Sequence, residues 1–388
     1  MPAIQLEKLG CTLKFRIFNR IDDVPADLWD GLIKGRSRTF SHAFWSLIEA
    51  SKLNDFEYRY VVFYDEDDVA IGSATFYAVT TDIAIFAPRP LRSLLNTARR
   101  WIPNLLKLRM LECGTPIILN SPPWICATPS RAEEMRQCLI KLMERLASEE
   151  GCWLIIARDF EPGSELEQKE MATAGFHLID GLPNTYLELP WHKVEDYQAA
   201  MKSYYRSKLQ KYLKRNRAAG ISHEVVDEFS ELAPKLATQW LVVHEQAQEF
   251  QREILNTEFY RQLSLRQGIS VKAVLYFRNN ELVGHALLML DGDLGRWLYF
   301  GREIAANDGL YLYVAYSVVQ TAIECGVKRL ELGLTTYPIK QDLGAHLTPI
   351  RFAIKASSKM LNPFVGWGYR LLNKPAQLSQ RDVFRRLC

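Results

Sequence analysis

The chain has 388 residues, of which 48% are hydrophobic and 24% are charged, and its net charge is +3. These fractions are typical of a globular protein, and the length exceeds what one ordinary hydrophobic core serves, so two domains are expected. The small net charge by itself predicts no partner.

The cysteines and the lack of targeting signals indicate a cytoplasmic protein. The seven cysteines are odd in number, form no Cys-x-x-Cys pair, and partly lie in helix-like or strand-like runs. Free, buried thiols in a reducing compartment are therefore expected. The first 20 residues are mixed polar and charged, unlike a signal peptide. No run of about 18 uncharged apolar residues predicts a membrane span.

The first half alternates predicted strands and helices. A strand is predicted over residues 13–18, an interrupted helix over 22–48 and a hairpin over 58–77, where a polar turn separates two apolar runs. A further strand is predicted over 153–157. A break near Pro190 marks the expected boundary with the second half.

Residues 88–110 are extra sequence between the first hairpin and the next strand. The segment is amphipathic and basic, and it contains no acidic residue. With leucine, tryptophan and isoleucine on one side and arginine on the other, it can lie in a membrane interface or dock an acidic partner such as an acyl-carrier protein. The alternative is that it caps the domain core, with its arginines in water.

Residues 202–217 form a predicted cationic helix. The segment has seven basic residues and no acidic one, and its leucines and tyrosines recur at helical spacing. The apolar stripe is expected in the core. The cationic face can follow the phosphates of a nucleotide tail or of tRNA, or lie on a membrane surface, and the alternative is a solvated basic face.

The stretch around which the chain is organised runs from residue 269 to residue 355. Three apolar runs separated by turns of Asn, Asp and Gly predict an antiparallel meander. These runs cover residues 271–277, 282–290 and 296–300. A polar loop then leads to a predicted helix over 310–325, which Gly326 ends, and to a last strand over 327–334.

Short stretches of the two halves are similar to each other. The aromatic pair Phe63-Tyr64 precedes Gly72, and the pair Tyr276-Phe277 precedes Gly284. We interpret this as a divergent internal duplication, which predicts two tandem domains of the same kind. Chance similarity of two short stretches is the alternative.

This order of elements resembles the core of the GNAT acyltransferase superfamily, and its details are similar to the FemAB-like and BioF-like branch. The resemblance covers residues 194–355, and before residue 194 only the order of the elements is similar. The segments that resemble the family are 202–217, 280–285, 309–313 and 330–340. It implies a meander, then a loop and helix that hold the phosphates of an acyl donor, then a strand beside the thioester.

The resemblance places donor binding in the loop and helix after the third strand. The implied residues are Gly301, Arg302, Asn307, Gly309 and Tyr311. The common GNAT loop resembles Arg/Gln-x-x-Gly-x-Gly/Ala, and a single glycine after Asn307 and Asp308 departs from it. An aminoacyl-tRNA donor therefore stays open beside an acyl thioester.

His285 and Tyr337 are the predicted catalytic residues. His285 lies on the second strand of the meander and is the predicted proton acceptor, with a buried structural histidine as the alternative. Tyr337 follows the last strand, where the resemblance places groups near the reacting carbonyl. Glu245 and Glu249, on the preceding helix, are further candidates for the base.

Three residues beside Tyr337 are predicted to bind substrate. Thr335, Thr336 and Lys340 offer hydroxyls and an ammonium to a carboxylate or a phosphate, and the alternative is a plain loop anchored by Pro338. No Ser-His-Asp or His-Glu-x-x-His pattern occurs, so neither a metal nor a covalent nucleophile is expected.

The sequence as a whole predicts an α+β sandwich of two tandem GNAT-like domains, with mixed, mostly antiparallel sheets flanked by helices. The expected bounds are 1–190 for a degenerate first domain, 191–357 for an acyltransferase domain and 358–388 for a basic, aromatic tail. The tail packs on the second half or touches a bilayer surface.

The expected activity is transfer of an acyl group from acyl-CoA or acyl-carrier protein to a small-molecule amine. A FemX-like transferase that uses aminoacyl-tRNA on a cell-wall or lipid precursor is the first alternative. A non-catalytic binding protein is the second. Segments 88–110 and 202–217 would place the protein at the inner face of the membrane or on tRNA.

Overall fold

The structure is a computed structural model that describes residues 6–8, 10, 12–82, 97–246, 253–304, 309–372 and 379–385. The strands are β1 Glu7–Lys8, β2 Lys14–Phe18, β3 Glu57–Tyr64, β4 Ala70–Asp82, β5 Lys107–Cys113, β6 Trp124–Cys126, β7 Leu154–Phe160, β8 His177–Asp180, β9 Asn184–Glu188, β10 Ile221–Val226, β11 Ser270–Arg278, β12 Glu281–Asp291, β13 Leu294–Arg302, β14 Arg329–Glu331, β15 His346–Thr348 and β16 Arg351–Ala356.

The helices follow the strands along the chain. They are α1 Ala26–Leu32, α2 His42–Ser51, α3 Ala132–Glu149, α4 Glu165–Thr173, α5 Val194–Ala200, α6 Ser203–Ala218, α7 Ala233–Gln246, α8 Thr257–Leu265, α9 Leu310–Glu324, α10 Tyr337–Asp342 and α11 Asn362–Leu372. Among the helices that the structure describes, none has the length and apolar character needed to cross a bilayer.

The chain divides into two compact units. The first comprises residues 1–181 and 349–376, and the second comprises 182–348 and 377–388. Each unit has one mixed, mostly antiparallel sheet flanked by helices. This is the predicted α+β architecture.

The unit boundaries differ from the predicted bounds at 190 and 357. Strand β9 pairs with β14 and β15 and so belongs to the second unit, although it precedes Pro190. Strand β16 pairs with β7 and β8 and so belongs to the first unit. The chain order cannot show this exchange, because it depends on pairing between strands that are far apart in sequence.

The first unit has a sheet in the order β1-β2-β3-β4-β5-β7-β16-β8, with β6 against β4. The pair β5–β7 is parallel, and the other pairs are antiparallel. Helix α3 buries Met135, Leu139, Met143 and Leu146 against this sheet. Their spacing of three and four residues places them on one face of the helix, which explains why the segment is helical.

The second unit has a sheet in the order β10-β11-β12-β13-β14-β9-β15, in which only β13–β14 is parallel among the described strands. The predicted meander is present. Asn279 and Asn280 have φ of 52° and 67° in its first turn, and Gly292 has φ of 65° in its second. Helix α9 ends before Gly326, whose φ is 75°, as predicted.

Helix α7 packs very closely on the meander at Gly301. Gly301 lies opposite His285 in the register of β12 and β13. A Cβ atom on Gly301 would lie 2.3 Å from His285 Cε1 and 2.7 Å from the backbone nitrogen of Trp240 in α7. The absence of a side chain therefore allows the helix backbone to approach the sheet.

We expect Gly301→Ala to lower the free energy of unfolding by about 1–3 kcal/mol, because the methyl group meets a backbone atom that cannot rotate away. Gly31→Ala in α1 is the matched control, since a Cβ atom there meets nothing within 4 Å. Chemical denaturation of both variants checks this. Equal stability of the two would show that α7 can move without cost.

Candidate active site

The parallel pair β13–β14 ends early. It extends over Leu294↔Arg329, Gly295↔Leu330 and Arg296↔Glu331, whereas β13 continues to Arg302. Beyond Arg296, no described strand pairs with the β14-facing edge of β13. We call residues 297–300 along this side the open edge of β13. Leu298, Tyr299 and Phe300 are partly exposed there, whereas Gly301 and Arg302 are buried.

A buried ion pair lies where the pairing ends. Arg296 Nη1 contacts Glu331 Oε2, and Arg296 Nε lies 3.5 Å from Asp291 Oδ2. Asn184 Nδ2 donates to Glu331 Oε1 at 3.0 Å. Because all of these groups are buried, loss of one partner would leave a charge without compensation.

A β-bulge shapes the open edge. Ala286 pairs with Phe300 and Leu288 pairs with Trp297, so β13 has one extra residue between these two pairs. As a result, Trp297 and Phe300 both contact the ring of Tyr311, at centroid distances of 5.5 and 5.4 Å.

Tyr299, inside the bulge, contacts helices α7 and α8. Its ring lies 6.2 Å from Trp240 and 5.9 Å from Phe259. Its hydroxyl donates to Glu253 Oε1 at 3.1 Å. Because of the bulge, Trp297 and Phe300 contact Tyr311, whereas Tyr299 contacts the aromatic residues of α7 and α8.

The turn after β14 is strained. Gly333, Thr335 and Thr336 have φ of 73°, 66° and 51°. Such values are rare for β-branched residues, and they occur where surrounding contacts hold the backbone. Thr335 and Thr336, two of the predicted substrate-binding residues, lie in this turn.

Lys340 and Tyr337 supply contacts that hold this turn. Lys340 Nζ donates to the carbonyls of Gly333 and Leu334 at 3.1 and 2.6 Å, and the Tyr337 hydroxyl donates to the carbonyl of Pro183 at 2.9 Å. Burial lowers the pKa of Lys340 to about 7, although the nearby Glu331 opposes this shift. Both side chains face backbone carbonyls, which favours a positioning role.

Tyr311 connects the turn to the open edge. Burial raises the pKa of its hydroxyl to about 12, and the side chain of Thr336 opposes this shift. Tyr311 is therefore a protonated phenol at neutral pH, placed between the open edge and an exposed threonine. Thr335 is partly exposed in the same turn.

His285 lies in the core. It is fully buried, its Nδ1 donates to Gln239 Oε1 at 2.9 Å, and its Nε2 accepts from the Tyr260 hydroxyl at 3.0 Å. Burial lowers its pKa to about 3. These contacts favour the structural alternative and argue against His285 as the proton acceptor, because alternating strand residues face the core here.

The N-terminus of α9 lies against α6. Gly309 precedes the helix with φ of 81°, and a Cβ atom on it would lie 2.9 Å from the ring of Tyr212. Asn216 Nδ2 donates to the Gly309 carbonyl at 3.4 Å. Arg302 is buried at the end of β13, and Asn307 lies outside the described residues.

Part of the cationic surface of α6 is exposed. Lys208 pairs with Asp342 and Lys202 pairs with Asp382, each at 2.6 Å. The exposed basic side chains of this helix are those of Lys211, Lys214, Arg215 and Arg217. The buried face contains Leu209 and Leu213, as the sequence pattern predicts.

A second group of polar residues lies at the end of α7. The imidazole of His244 stacks on Trp240 at 4.4 Å, and burial lowers its pKa below the usual 6.5 while Glu245 opposes the shift. Glu245 itself is exposed, and Glu249 lies outside the described residues. The sequence did not predict roles for His244, Tyr299 and Glu253, and its one signal was the position of a histidine beside Glu245.

No family model matches the chain. Two curated proteins from two strains of Mycobacterium tuberculosis, both named "Putative 8-amino-7-oxononanoate synthase 2", are 25% identical to it over 374 residues. The match covers 88% of this chain and 48% of each relative. The chain thus spans about half the length of the curated relatives it matches.

Solved structures share the fold at low sequence identity. The structure of FemX aligns with a TM-score of 0.54 and 13% identity, covering 87% of this chain and 96% of FemX. A tandem GNAT protein from the clavulanic acid biosynthesis pathway aligns with a TM-score of 0.51 and 12% identity. The alignment covers 89% of this chain and 99% of that protein. The C-terminal domain of a "Putative Lysylphosphatidylglycerol Synthetase" from Agrobacterium fabrum aligns with a TM-score of 0.53 and 10% identity. The alignment covers 89% of this chain and 94% of that domain. These alignments show a tandem GNAT fold.

We expect the buried amine of Lys340 to make stability depend on pH. Its pKa is about 7 in the folded protein and 10.5 ordinarily, so between these pH values the unfolded chain binds the proton that the folded chain lacks. Stability from this group therefore rises with pH through that window. Comparison with Lys340→Met should show a difference on the order of 3 kcal/mol between pH 7 and 10. Parallel pH profiles of the two proteins would contradict it.

Proposed function

We propose that this chain, which has the tandem GNAT fold, is an N-acyltransferase whose second unit passes an acyl group from a thioester to an amine. The observation that carries the proposal is the open edge of β13, beside Tyr311 and near the start of α9 in sequence. The fold shared with FemX and a tandem GNAT protein supports it. The name of the curated relatives is not transferred, since the chain matches about half of their length.

The open edge of β13 is the proposed seat of the thioester carbonyl. Backbone N–H groups of the partly exposed residues Leu298 and Phe300 are the proposed donors to the carbonyl oxygen, where negative charge develops as the amine attacks. The bulge between Trp297 and Phe300 is the local distortion that directs these groups. Such donors act without reorganisation because the strand is held from its other side by β12.

Tyr311 is the proposed proton donor to the leaving thiolate. A phenol is protonated at neutral pH, and burial raises the pKa of Tyr311 further, to about 12, while the side chain of Thr336 opposes this shift. The strained turn places Thr336 there, and Lys340 and Tyr337 hold the turn through backbone carbonyls. We therefore keep Thr335, Thr336, Tyr337 and Lys340 in the proposed site as positioning residues.

His244 is the proposed proton acceptor, in place of His285. Burial lowers its pKa, so the imidazole is neutral at neutral pH and can take a proton. Tyr299 and Glu253 lie on the same α7–α8 side of the open edge and offer a phenol and a carboxylate to a cationic amine. Exposed Glu245 adds negative charge beside His244.

The proposed reaction follows from these positions. The amine nitrogen attacks the thioester carbonyl carbon, and the carbon–sulfur bond breaks. The proton leaves the amine for His244, and the thiolate takes a proton from Tyr311, which solvent then replenishes. The products are an amide and a free thiol, and no covalent enzyme intermediate forms.

The donor phosphates are proposed to lie at the start of α9, with Gly309 next to α6. Backbone N–H groups at a helix N-terminus favour anions, and the exposed cations of α6 extend this positive region. Gly301 and Arg302 would act indirectly in this arrangement, since both are buried. Acyl-CoA and acyl-carrier protein both supply such a phosphate group.

An aminoacyl-tRNA donor is the second candidate function. The exposed cations of α6 favour it, because tRNA is a polyanion long enough to contact the whole helix. The fold shared with FemX favours it as well. The departure at Asp308 that would support a non-catalytic protein lies outside the described residues.

Calorimetric titration with CoA, acetyl-CoA and a long-chain acyl-CoA tests the donor. We expect micromolar binding that weakens at least about tenfold in Lys211→Glu/Lys214→Glu/Arg215→Glu, because three phosphate-attracting charges are reversed. Lys34→Glu/Arg36→Glu/Lys169→Glu in the first unit, also exposed, makes the same change in net charge and should bind normally. Absence of thioester binding together with binding of charged tRNA would favour the second candidate.

The proton acceptor is tested by pH profiles of thiol release from acetyl-CoA with a panel of amines. We expect His244→Gln to lower kcat/KM about 100-fold at pH 7 and to remove the acidic limb of the profile, because that limb reports protonation of His244 below pH 6.5. His346→Gln is the control, since burial lowers the pKa of His346 as well. An unchanged limb in His244→Gln would exclude this role.

A further inference from the structure

The chain contains a long segment without any acidic residue. From Leu343 to Arg381 there are six basic residues and neither Asp nor Glu. At the average acidic content of this chain, 45 of 388 residues, a segment of this length would contain four or five carboxylates. The second half of this segment contains helix α11.

One face of α11 is attached to the sheet of the first unit. His177 Nε2 donates to the carbonyl of Asn362, and Asn362 Nδ2 donates to the carbonyl of Gly175, both at 2.8 Å. A Cβ atom on Gly366 would lie 2.6 Å from His177 Nδ1, and Tyr369 contacts Phe352 edge-on at 5.2 Å. The helix is therefore held in one orientation by its positions 362, 366 and 369.

The other face of α11 presents large apolar side chains to solvent. Met360 is 85% exposed, Leu361 45%, Phe364 67% and Trp367 67%. Their spacing of one, three and three residues places them on one side of the helix and of the turn before it. Four large apolar residues that lie together in water mark an interaction surface, unlike apolar residues scattered singly.

We propose that this face of α11, defined by Met360, Leu361, Phe364 and Trp367, inserts into the interfacial region of an anionic lipid bilayer. Tryptophan and phenylalanine on one side of a helix are typical of interfacial insertion, since their rings fit the boundary between headgroups and acyl chains. Exposed Lys359 is next to the apolar face, and a segment without carboxylates does not repel anionic headgroups.

The attachment of α11, together with the lack of carboxylates around it, favours a lipid surface over a protein groove as its partner. A helix that binds in a protein groove needs a concave partner that encloses its apolar face. Here the helix is already fixed on its own sheet and can present its apolar side to a plane. This contact is independent of the proposed transferase activity and uses a different segment from residues 88–110 and 202–217. It lies in the tail predicted over 358–388, whose helix α11 packs on the first unit and not on the second as one alternative expected.

Co-sedimentation of the full chain with vesicles tests the proposal. Vesicles of phosphatidylcholine with phosphatidylglycerol should bind the protein, and vesicles of phosphatidylcholine alone should bind it less, with a loss at high salt. Phe364→Ser/Trp367→Ser should weaken binding at least about tenfold, because two interfacial anchors are lost. Val69→Ser/Leu265→Ser removes two apolar residues elsewhere that are also more than half exposed, and this variant should bind normally.

A second variant keeps the test independent of folding defects. Trp367→Phe should retain binding to vesicles. Lipids with brominated acyl chains should no longer quench the tryptophan fluorescence of this variant, because the indole that would lie in the bilayer has been removed. Equal binding by wild-type protein and Phe364→Ser/Trp367→Ser would overturn the proposal, as would loss of binding only in Trp101→Ser/Ile102→Ser. A wild-type dimer that the α11 variant converts to monomer, without vesicle binding, would reassign the face to self-association.

Discussion

The second unit depends on where the parallel pairing of β13 and β14 stops. Three residue pairs hold the strands together, and the last of them is the buried pair Arg296–Glu331. A buried ion pair is costly unless each charge is compensated, and Asn184 and Asp291 complete this compensation. The open edge of β13 begins directly after this pair, so the proposed thioester site exists because the ladder ends there.

The first unit uses a similar arrangement for a different purpose. Among its described strands the one parallel pair is β5–β7, and Arg158 Nη1 lies 3.8 Å from Glu112 Oε2 near the end of that pair. The hydroxyl of Tyr77 donates to Glu112 at 2.7 Å and accepts from Arg158 at 2.8 Å. Tyr77 and Glu112 are buried and Arg158 is partly buried. A structural role for the first unit and its origin by duplication stay predictions.

Strain and burial in the second unit lie around the proposed site. Thr335 and Thr336 adopt a left-handed backbone, and Lys340 is nearly fully buried so that its amine can bind the carbonyls of that turn. Both features cost stability, and the close packing of α7 on Gly301 supplies rigidity at the end of β13, next to the open edge. A site that holds donors and phenols in place before substrate arrives needs such a rigid frame.

Local sequence signals determined the elements, and tertiary contacts decided the site. Polar turns at Asn279-Asn280 and Gly292 and the helix stop at Gly326 are encoded by neighbouring residues, because they depend on φ preferences and on apolar spacing. The exchange of β9 and β16 between units, the burial of His285 and the placement of His244 and Tyr299 depend on contacts between residues far apart in the chain. A strand pattern shows that His285 alternates with apolar residues, but only the packing of α7 and α8 shows that Gln239 and Tyr260 already occupy both of its nitrogens.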